Sequence, residues 1–343
     1  MDIKLNFKET KNVTKQVILN KRVPFVWGPP GIGKSSLGRE IAEELGAEIY
    51  ILDAPLLQPI DYMAPVPNHA EKKVHLYTSG FLPESGPAVV LVEDLPHAKT
   101  YQQIPLMQMV LDRRIGPMKF SDDVYFIITG NREEDLAGVN PLPSPLLNRL
   151  VHIDMDPDLE EWMVWAKING INEDIAGFLR AFPGEFLKLP EEGKKAWPTP
   201  RSWHIFSDCI KDAKSEEMIR YIGSGTVGSS TTQLFIAYVK YLKEIDPKAI
   251  VEKGELPQEE SRDKIFAYIQ AVTGLLKKNG KQYMVKHKDG VVNFFRWLRG
   301  EFKMAFLKEL VTYDQKGKPI ATLVATLAEL EPEVVNYITQ IIS

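Results

Sequence analysis

The chain has 343 residues, longer than one ordinary core sustains, so two or three domains are expected. Its 44% hydrophobic and 26% charged residues are those of a folded soluble protein, and a net charge of −4 with a pI near 6.0 argues against general nucleic-acid binding. Cys209 is the single cysteine, which leaves no internal disulfide or thiolate metal cluster, and the six histidines are scattered without ligand spacing, so no zinc is expected. The apolar runs are too short to span a bilayer, and Met1-Asp-Ile-Lys-Leu has no signal-peptide core; a cytoplasmic protein with no membrane partner is expected.

Residues 1–22 carry Leu5, Phe7, Val13, Val17 and Leu19, enough for a short strand and a helix. Val23–Trp27 is a β-prone apolar run. It leads into Gly28-Pro29-Pro30-Gly31-Ile32-Gly33-Lys34-Ser35-Ser36, the G-x-x-x-x-G-K-[S/T] pattern of a phosphate-binding loop. Backbone N–H groups surround an anion only where side chains stay out of the way and φ is free, which Gly28, Gly31 and Gly33 allow. Lys34 would reach the β- and γ-phosphates of ATP, and Ser35 would offer its hydroxyl to Mg²⁺. Leu37, Ile41 and Leu45 give a helix opening at the loop, whose N-terminal partial charge favours the same anion.

Gly46 reads as a helix stop and Glu48–Leu52 as the next strand. Asp53–Gly86 is long and broken by Pro55, Pro59, Pro65, Pro67 and Pro83, as a functional loop or insertion would be. Ala88–Val92 is an unbroken apolar run, expected of a central parallel strand covered on both faces. Glu93-Asp94 follow it, where nucleotide hydrolases hold Mg²⁺ and orient the attacking water; Glu93 is read as the metal ligand and Asp94 as the catalytic carboxylate. Tyr101–Leu111 reads as a helix with Ile104, Met107 and Leu111 on one face, and Arg114–Phe120 as a hairpin. Val124–Thr129 is another buried strand, after which Asn131 would cap the turn or hold the water. Leu150–Ile153 is the fifth strand, preceded by Leu146-Leu-Asn-Arg149. This alternation predicts a parallel, five-stranded α/β domain with flanking helices over 1–155, its site at the carboxyl ends of the strands.

From Leu159 the period becomes helical: Trp162, Trp165 and Ala166, then Ile175, Phe178 and Leu179, then Trp203, Phe206 and Ile210. These predict a helical domain over 156–244. In Trp197-Pro-Thr-Pro-Arg-Ser-Trp203, Thr199 can cap a helix with Pro200 at its first position, setting Arg201 in the first turn. Asp246–Asp263 reads as a linker, and Ile265–Leu276, Val291–Leu310 and Ile320–Ile342 as the helices of an extension over 245–343. Lys277, Lys278, Lys281, Lys286 and Lys288, around Asn279-Gly280, read as a solvated loop.

Ordered in this way, the chain resembles the AAA+ ATPases and, within them, the MoxR family over roughly residues 20–240. Gly28–Ser35 is similar to Walker A and the strand ending in Glu93-Asp94 to Walker B. Asn131 stands at the sensor 1 position, Arg149 at the arginine finger and Arg201 at sensor 2. The resemblance implies a Mg²⁺-dependent ATPase in a ring, usually a hexamer. It would remodel, chaperone or activate a protein partner, often one of von Willebrand A type. The family order at Walker B is Asp then Glu; here Glu93 precedes Asp94, displacing each carboxylate by roughly 1.5 Å, one C–C bond. A misplacement of about 1 Å can cost on the order of a hundredfold in rate. A nucleotide-dependent binding switch with little hydrolysis is therefore an alternative, as is a small-molecule kinase using Arg149 and Arg201 as phosphate clamps.

Overall fold

The computed structural model describes residues 3–78, 80–135, 138–191, 193–258, 261–313 and 318–337, and the chain divides into two compact units, Met1–Asp158 and Leu159–Ser343.

In the first unit, β1 (Lys4–Leu5) and α1 (Phe7–Leu19) precede β2 (Pro24–Trp27) and α2 (Lys34–Leu45). Asn6 caps α1 in a reciprocal box with Glu9, its Oδ1 accepting from the Glu9 N–H at 2.9 Å. Next come β3 (Glu48–Asp53), α3 (Pro59–Tyr62), β4 (Met63–Asn68), β5 (Lys73–Thr78) and β6 (Ala88–Glu93). They are followed by α4 (Thr100–Asp112), β7 (Arg114–Ile115), β8 (Met118–Lys119), β9 (Val124–Gly130), α5 (Ser144–Leu147) and β10 (Val151–Met155). Six strands form one parallel sheet in the order β1-β10-β2-β9-β6-β3. The five expected strands are all there, and β1 adds an edge by pairing Lys4 and Leu5 with Asp154 and Met155.

The core explains the strand sequences. Val89, Val90, Leu91 and Val92 are fully buried because β6 lies inside the sheet with helices on both faces. Gly38 lets α2 lie close on it: a Cβ there would stand 2.8 Å from Leu91 Cδ2. Parallel pairing then brings the strand ends together, with Asp53 opposite Glu93 and Trp27 opposite both Gly130 and Asp154.

Asp53–Gly86 holds α3 and an antiparallel β4–β5 hairpin whose Val66, Val74, Leu76 and Tyr77 are exposed. The α4 face differs from the expected one. Gln102, Gln103, Leu106, Met109 and Val110 are buried, while Ile104 is 61% exposed. The two glutamines enter the core because their amides meet backbone carbonyls: Gln102 Nε2 donates to Pro55 O at 2.7 Å and Leu57 O at 2.9 Å, and Gln103 Nε2 to Ala98 O at 2.9 Å. Arg114–Phe120 forms the β7–β8 hairpin, turned by Gly116 at φ 54°.

The second unit is mostly helical: α6 (Leu159–Ile168), α7 (Glu173–Ala181), α8 (Pro200–Ile210), α9 (Glu216–Thr226) and α10 (Ser229–Glu244). After them come α11 (Pro247–Lys253), α12 (Arg262–Lys286), α13 (Lys288–Trp297), α14 (Glu301–Leu310), the short pair β11 (Thr312–Tyr313) and β12 (Pro319–Ile320), and α15 (Thr322–Leu330). One core runs through them, joining Phe178, Trp203 and Phe206 to Val272, Phe294, Phe306 and Leu327.

Three expectations change here. The linker stretch contains α11, because Ile250 and Val251 on one side of an otherwise charged segment are buried in the common core. The lysine-rich segment is helix rather than loop: α12 runs through it with a kink at Gly280, φ 74° and ψ −170°. Val291–Leu310 is split into α13 and α14 by Gly300 at φ 49°. Of Ile320–Ile342, α15 accounts for the middle, and 338–342 lie outside the described residues. Among the described residues no helix is long and apolar enough to cross a membrane.

Candidate functional site

The loop between β2 and α2 is built as its sequence requires. Gly28, Gly31 and Gly33 have φ of 156°, 80° and 103°, and Gly33 is the N-cap of α2. A Cβ on Gly28 would stand 2.5 Å from the Met155 carbonyl oxygen, so only glycine lets the loop lie against the end of β10. Pro29 and Ile32 are buried, Pro30, Gly31 and Ser35 half-buried and Ser36 exposed. The first turn of α2, carrying Lys34, Ser35 and Ser36, thus presents helix-terminal N–H groups at the carboxyl end of the sheet.

Lys34 is only 8% exposed. Its Nζ donates to Gly28 O at 2.6 Å, Pro29 O at 2.8 Å and Asn131 Oδ1 at 2.7 Å. The pairing of Trp27 with Gly130 sets this contact, since β2 and β9 are sheet neighbours and the residues just beyond them meet. Glu93 ends β6, and its Oε1 is buried without a hydrogen-bond partner. Asp94 follows in a left-handed conformation, φ 53° and ψ 35°, at the start of a 3₁₀ turn over Leu95–His97, with its side chain 49% exposed. The two adjacent carboxylates thus have different settings, one partly enclosed and one facing outward. His97 Nδ1 stands 3.9 Å from Asp94 Oδ1.

The residues present fit Mg²⁺ with a nucleotide phosphate. The Glu93 oxygen lacks a partner, and the Ser35 hydroxyl stands in the first turn of α2. Among the described residues no three His, Cys, Asp or Glu side chains group into a metal cage; Mg²⁺ needs none, because it takes one or two protein ligands and completes its shell with water and phosphate oxygens.

Three residues here were not singled out from the sequence. Asp53 ends β3 opposite Glu93, and burial, then the charges of Asp94 and Glu93, push its carboxyl above the usual range. Arg132 Nε binds Asp154 Oδ1 at 2.8 Å and its Nη2 donates to Met155 O at 3.3 Å, linking the end of β9 to that of β10 beyond the intervening β2. Buried Asp135 accepts the Arg132 backbone N–H at 2.7 Å, and its desolvated carboxyl is also raised. Asp53 was legible as the last residue of a parallel strand; Arg132 and Asp135 carried no motif.

Arg149 lies between α5 and β10, exposed, and its side chain makes no ion pair or hydrogen bond among the described residues. Arg201 belongs to the second unit, exposed in the first turn of α8 and likewise without such a partner among the described residues. Thr199 caps that helix, its Oγ1 accepting from Ser202 N at 3.0 Å, with Pro200 at the first helical position.

The segment from β2 to β10 matches the family described as "ATPase family associated with various cellular activities (AAA)" over residues 24–155. Residues 24–155 are thus similar to an AAA domain. Its limits enclose the phosphate loop, Glu93, Asp94, Asn131 and Arg149. No curated protein matches the chain. The Thermotoga maritima RuvB Holliday junction branch migration motor is similar at 16% identity, over 72% of this chain and 76% of that one, with a TM-score of 0.37. NtrX from Brucella abortus, in complex with ATP, is similar at 13% identity over 84% and 67%, with a TM-score of 0.39. Scores this low carry no weight beside the match of residues 24–155 to the AAA family.

Proposed function

We propose that this protein is a Mg²⁺-dependent ATPase that works as a ring, of hexameric type, and couples ATP turnover to remodelling or activating a protein partner, as MoxR-like proteins do. The observation that carries the reading is the junction of Lys34 with the phosphate loop and Asn131, 2.7 Å from it, just beyond the end of β9, whose sheet neighbour β6 ends in Glu93. In this reading Lys34 and the loop amides from Gly31 to Ser36 would hold the phosphates, with Gly28, Pro29 and Pro30 shaping the loop, and Ser35 and Glu93 would take the Mg²⁺. Asp94 accepts a proton from the attacking water, and Asn131 orients that water. Mg²⁺ would supply charge neutralisation on the phosphate oxygens; the chain's own groups position the reactants and take up the proton.

Exposed Arg149, without a partner in its own chain among the described residues, is suited to meet ATP on a neighbouring subunit. Arg201, on the lid of residues 156–244, would sense the nucleotide, and residues 245–343 extend that lid. A von Willebrand A-type partner and a cytoplasmic location belong to the same reading.

The test is steady-state ATP turnover against protein concentration, with and without Mg²⁺. Specific activity should rise as the ring assembles and vanish in Lys34→Ala; activity independent of concentration would refute the ring, and turnover by a folded Lys34→Ala chain would refute the site. A second reading is favoured by the Glu93-Asp94 order and by the outward, left-handed setting of Asp94: a nucleotide-dependent switch that binds ATP and hydrolyses it slowly. Tight Mg²⁺-ATP binding with negligible turnover at every concentration would select it.

A further inference from the structure

The second unit holds a cleft of about 630 Å³ between α6, α7, α12, α14 and β11 that the ATPase reading does not use. One end is lined by Lys167, Arg180 and Lys277, and all three converge on one carboxylate. Arg180 Nη1 stands 2.9 Å from Glu309 Oε1, and the Nζ atoms of Lys167 and Lys277 each stand 3.4 Å from Glu309 Oε2. Glu160 is near Arg180 but is already bound to Lys308 at 2.7 Å. The group therefore holds more cations than carboxylates to pair with them. Arg180 is 6% exposed, and its Nε has no hydrogen-bond partner. A buried cationic N–H left in that state is costly, and a structural ion pair would not require it.

We propose that this end of the cleft binds a small molecule through a phosphate or carboxylate group, held by Arg180 and Lys277, with Lys167, whose Nζ already donates to Lys308 O at 2.9 Å, adding its charge. An anion there would supply the missing acceptor for Arg180 and offset the excess positive charge. Tyr313 also lines the cleft and can add a hydroxyl donor, whereas the Thr273 hydroxyl beside it is committed to Ile269 O at 2.8 Å. Glu173 and Asp174 line it as well, at the start of α7, six residues and about 9 Å along the helix from Arg180. That acidic end would orient a ligand by disfavouring a second anionic group. The Lys167 ammonium is depressed to about 8, chiefly by burial, with Arg180 and Lys277 adding to the shift and Glu309 opposing it.

The test is calorimetric titration of the full chain carrying Lys34→Ala, so that the phosphate loop is not read. Inorganic phosphate and acetate, which carries a single carboxylate, are added in separate arms at constant ionic strength. A saturable response in the phosphate arm alone assigns a phosphate ligand, and in the acetate arm alone a carboxylate ligand; either supports the site. Lys277 lies partly toward solvent and tolerates change, so Lys277→Gln should weaken the response by roughly tenfold and Lys277→Arg should retain it. No saturable binding in either arm, or binding equally strong in folded Lys277→Gln protein, would overturn the proposal and leave the cluster as an ion network between helices.

Discussion

Replacing Arg132 with Ala tests how the phosphate loop is supported from the neighbouring strands. The substitution removes a 2.8 Å ion pair with Asp154 and a 3.3 Å bond to the Met155 carbonyl. Arg132 is 13% exposed and Asp154 30%, so the pair is more shielded than a surface bridge and contributes about 1–2 kcal/mol; the longer bond adds about 0.5 kcal/mol. The expected loss of stability is about 2 kcal/mol, read by urea unfolding through Trp27, the only tryptophan of the first unit. The loss should reach the nucleotide. Met155 O is the atom against which Gly28 rests, and freeing the end of β10 loosens the floor of the loop. If about 1.4 kcal/mol of that order is lost, affinity for a fluorescent ATP analogue falls about tenfold. Arg132→Lys keeps a charge near Asp154 but loses the fork, and should fall between. Wild-type stability would refute the ion pair; reduced stability with unchanged affinity would refute the transmission through Met155 and Gly28.

Asp94→Asn should bind Mg²⁺-ATP normally and turn over at least a hundredfold more slowly, whereas Glu93→Gln should first weaken Mg²⁺ binding and so raise the Mg²⁺ concentration needed; the opposite pairing in a Mg²⁺-dependence assay would exchange their roles. Arg149→Ala should bind ATP and lose about 10³-fold or more in rate, and mixing it with Lys34→Ala protein should restore part of the activity; mixed rings as inactive as either parent would refute action across subunits. Glu309→Gln should destabilise the chain by about 3 kcal/mol at neutral pH, because the neighbouring cations hold this carboxyl, despite its burial, down from 4.5 to about 2. The folded value lies below the unfolded one, so this contribution is complete above pH 4.5 and declines as pH falls toward 2. The stability gap to wild type, followed by urea unfolding, should therefore narrow below pH 4.5, and a gap independent of pH would refute the assignment.

What the sequence made legible was local or periodic. The phosphate loop needs glycines at fixed offsets and a strand and helix on either side, all within Val23–Leu45. The apolar run Ala88–Val92 reads as a strand covered on both faces, and all five residues are buried. What it hid depends on partners distant in the chain. Gln102 and Gln103 look like surface residues until their amides find Pro55, Leu57 and Ala98 carbonyls, and that is why the α4 face turned. Asn131 belongs beside Lys34 only because β9 is the neighbour of β2, an order that strand sequences do not encode.

The lysine-rich segment shows the same limit at a second place. Asn279-Gly280 carries a turn signal, and the chain does depart from helical geometry at Gly280, yet helix resumes beyond it and the change of direction is a kink. A turn signal fixes one residue's φ and says nothing of what the flanking turns pack against. Here Lys277, three residues earlier, sits on the helical side of the kink and meets Glu309, 32 positions away, while Lys281, just beyond the kink, reaches Glu329 at 3.6 Å. Charge in that stretch divides between surface and cleft according to helical phase, which the kink resets. Composition alone assigned all five lysines to solvent, and only the packing of α12 against α14 separates Lys277 from the rest.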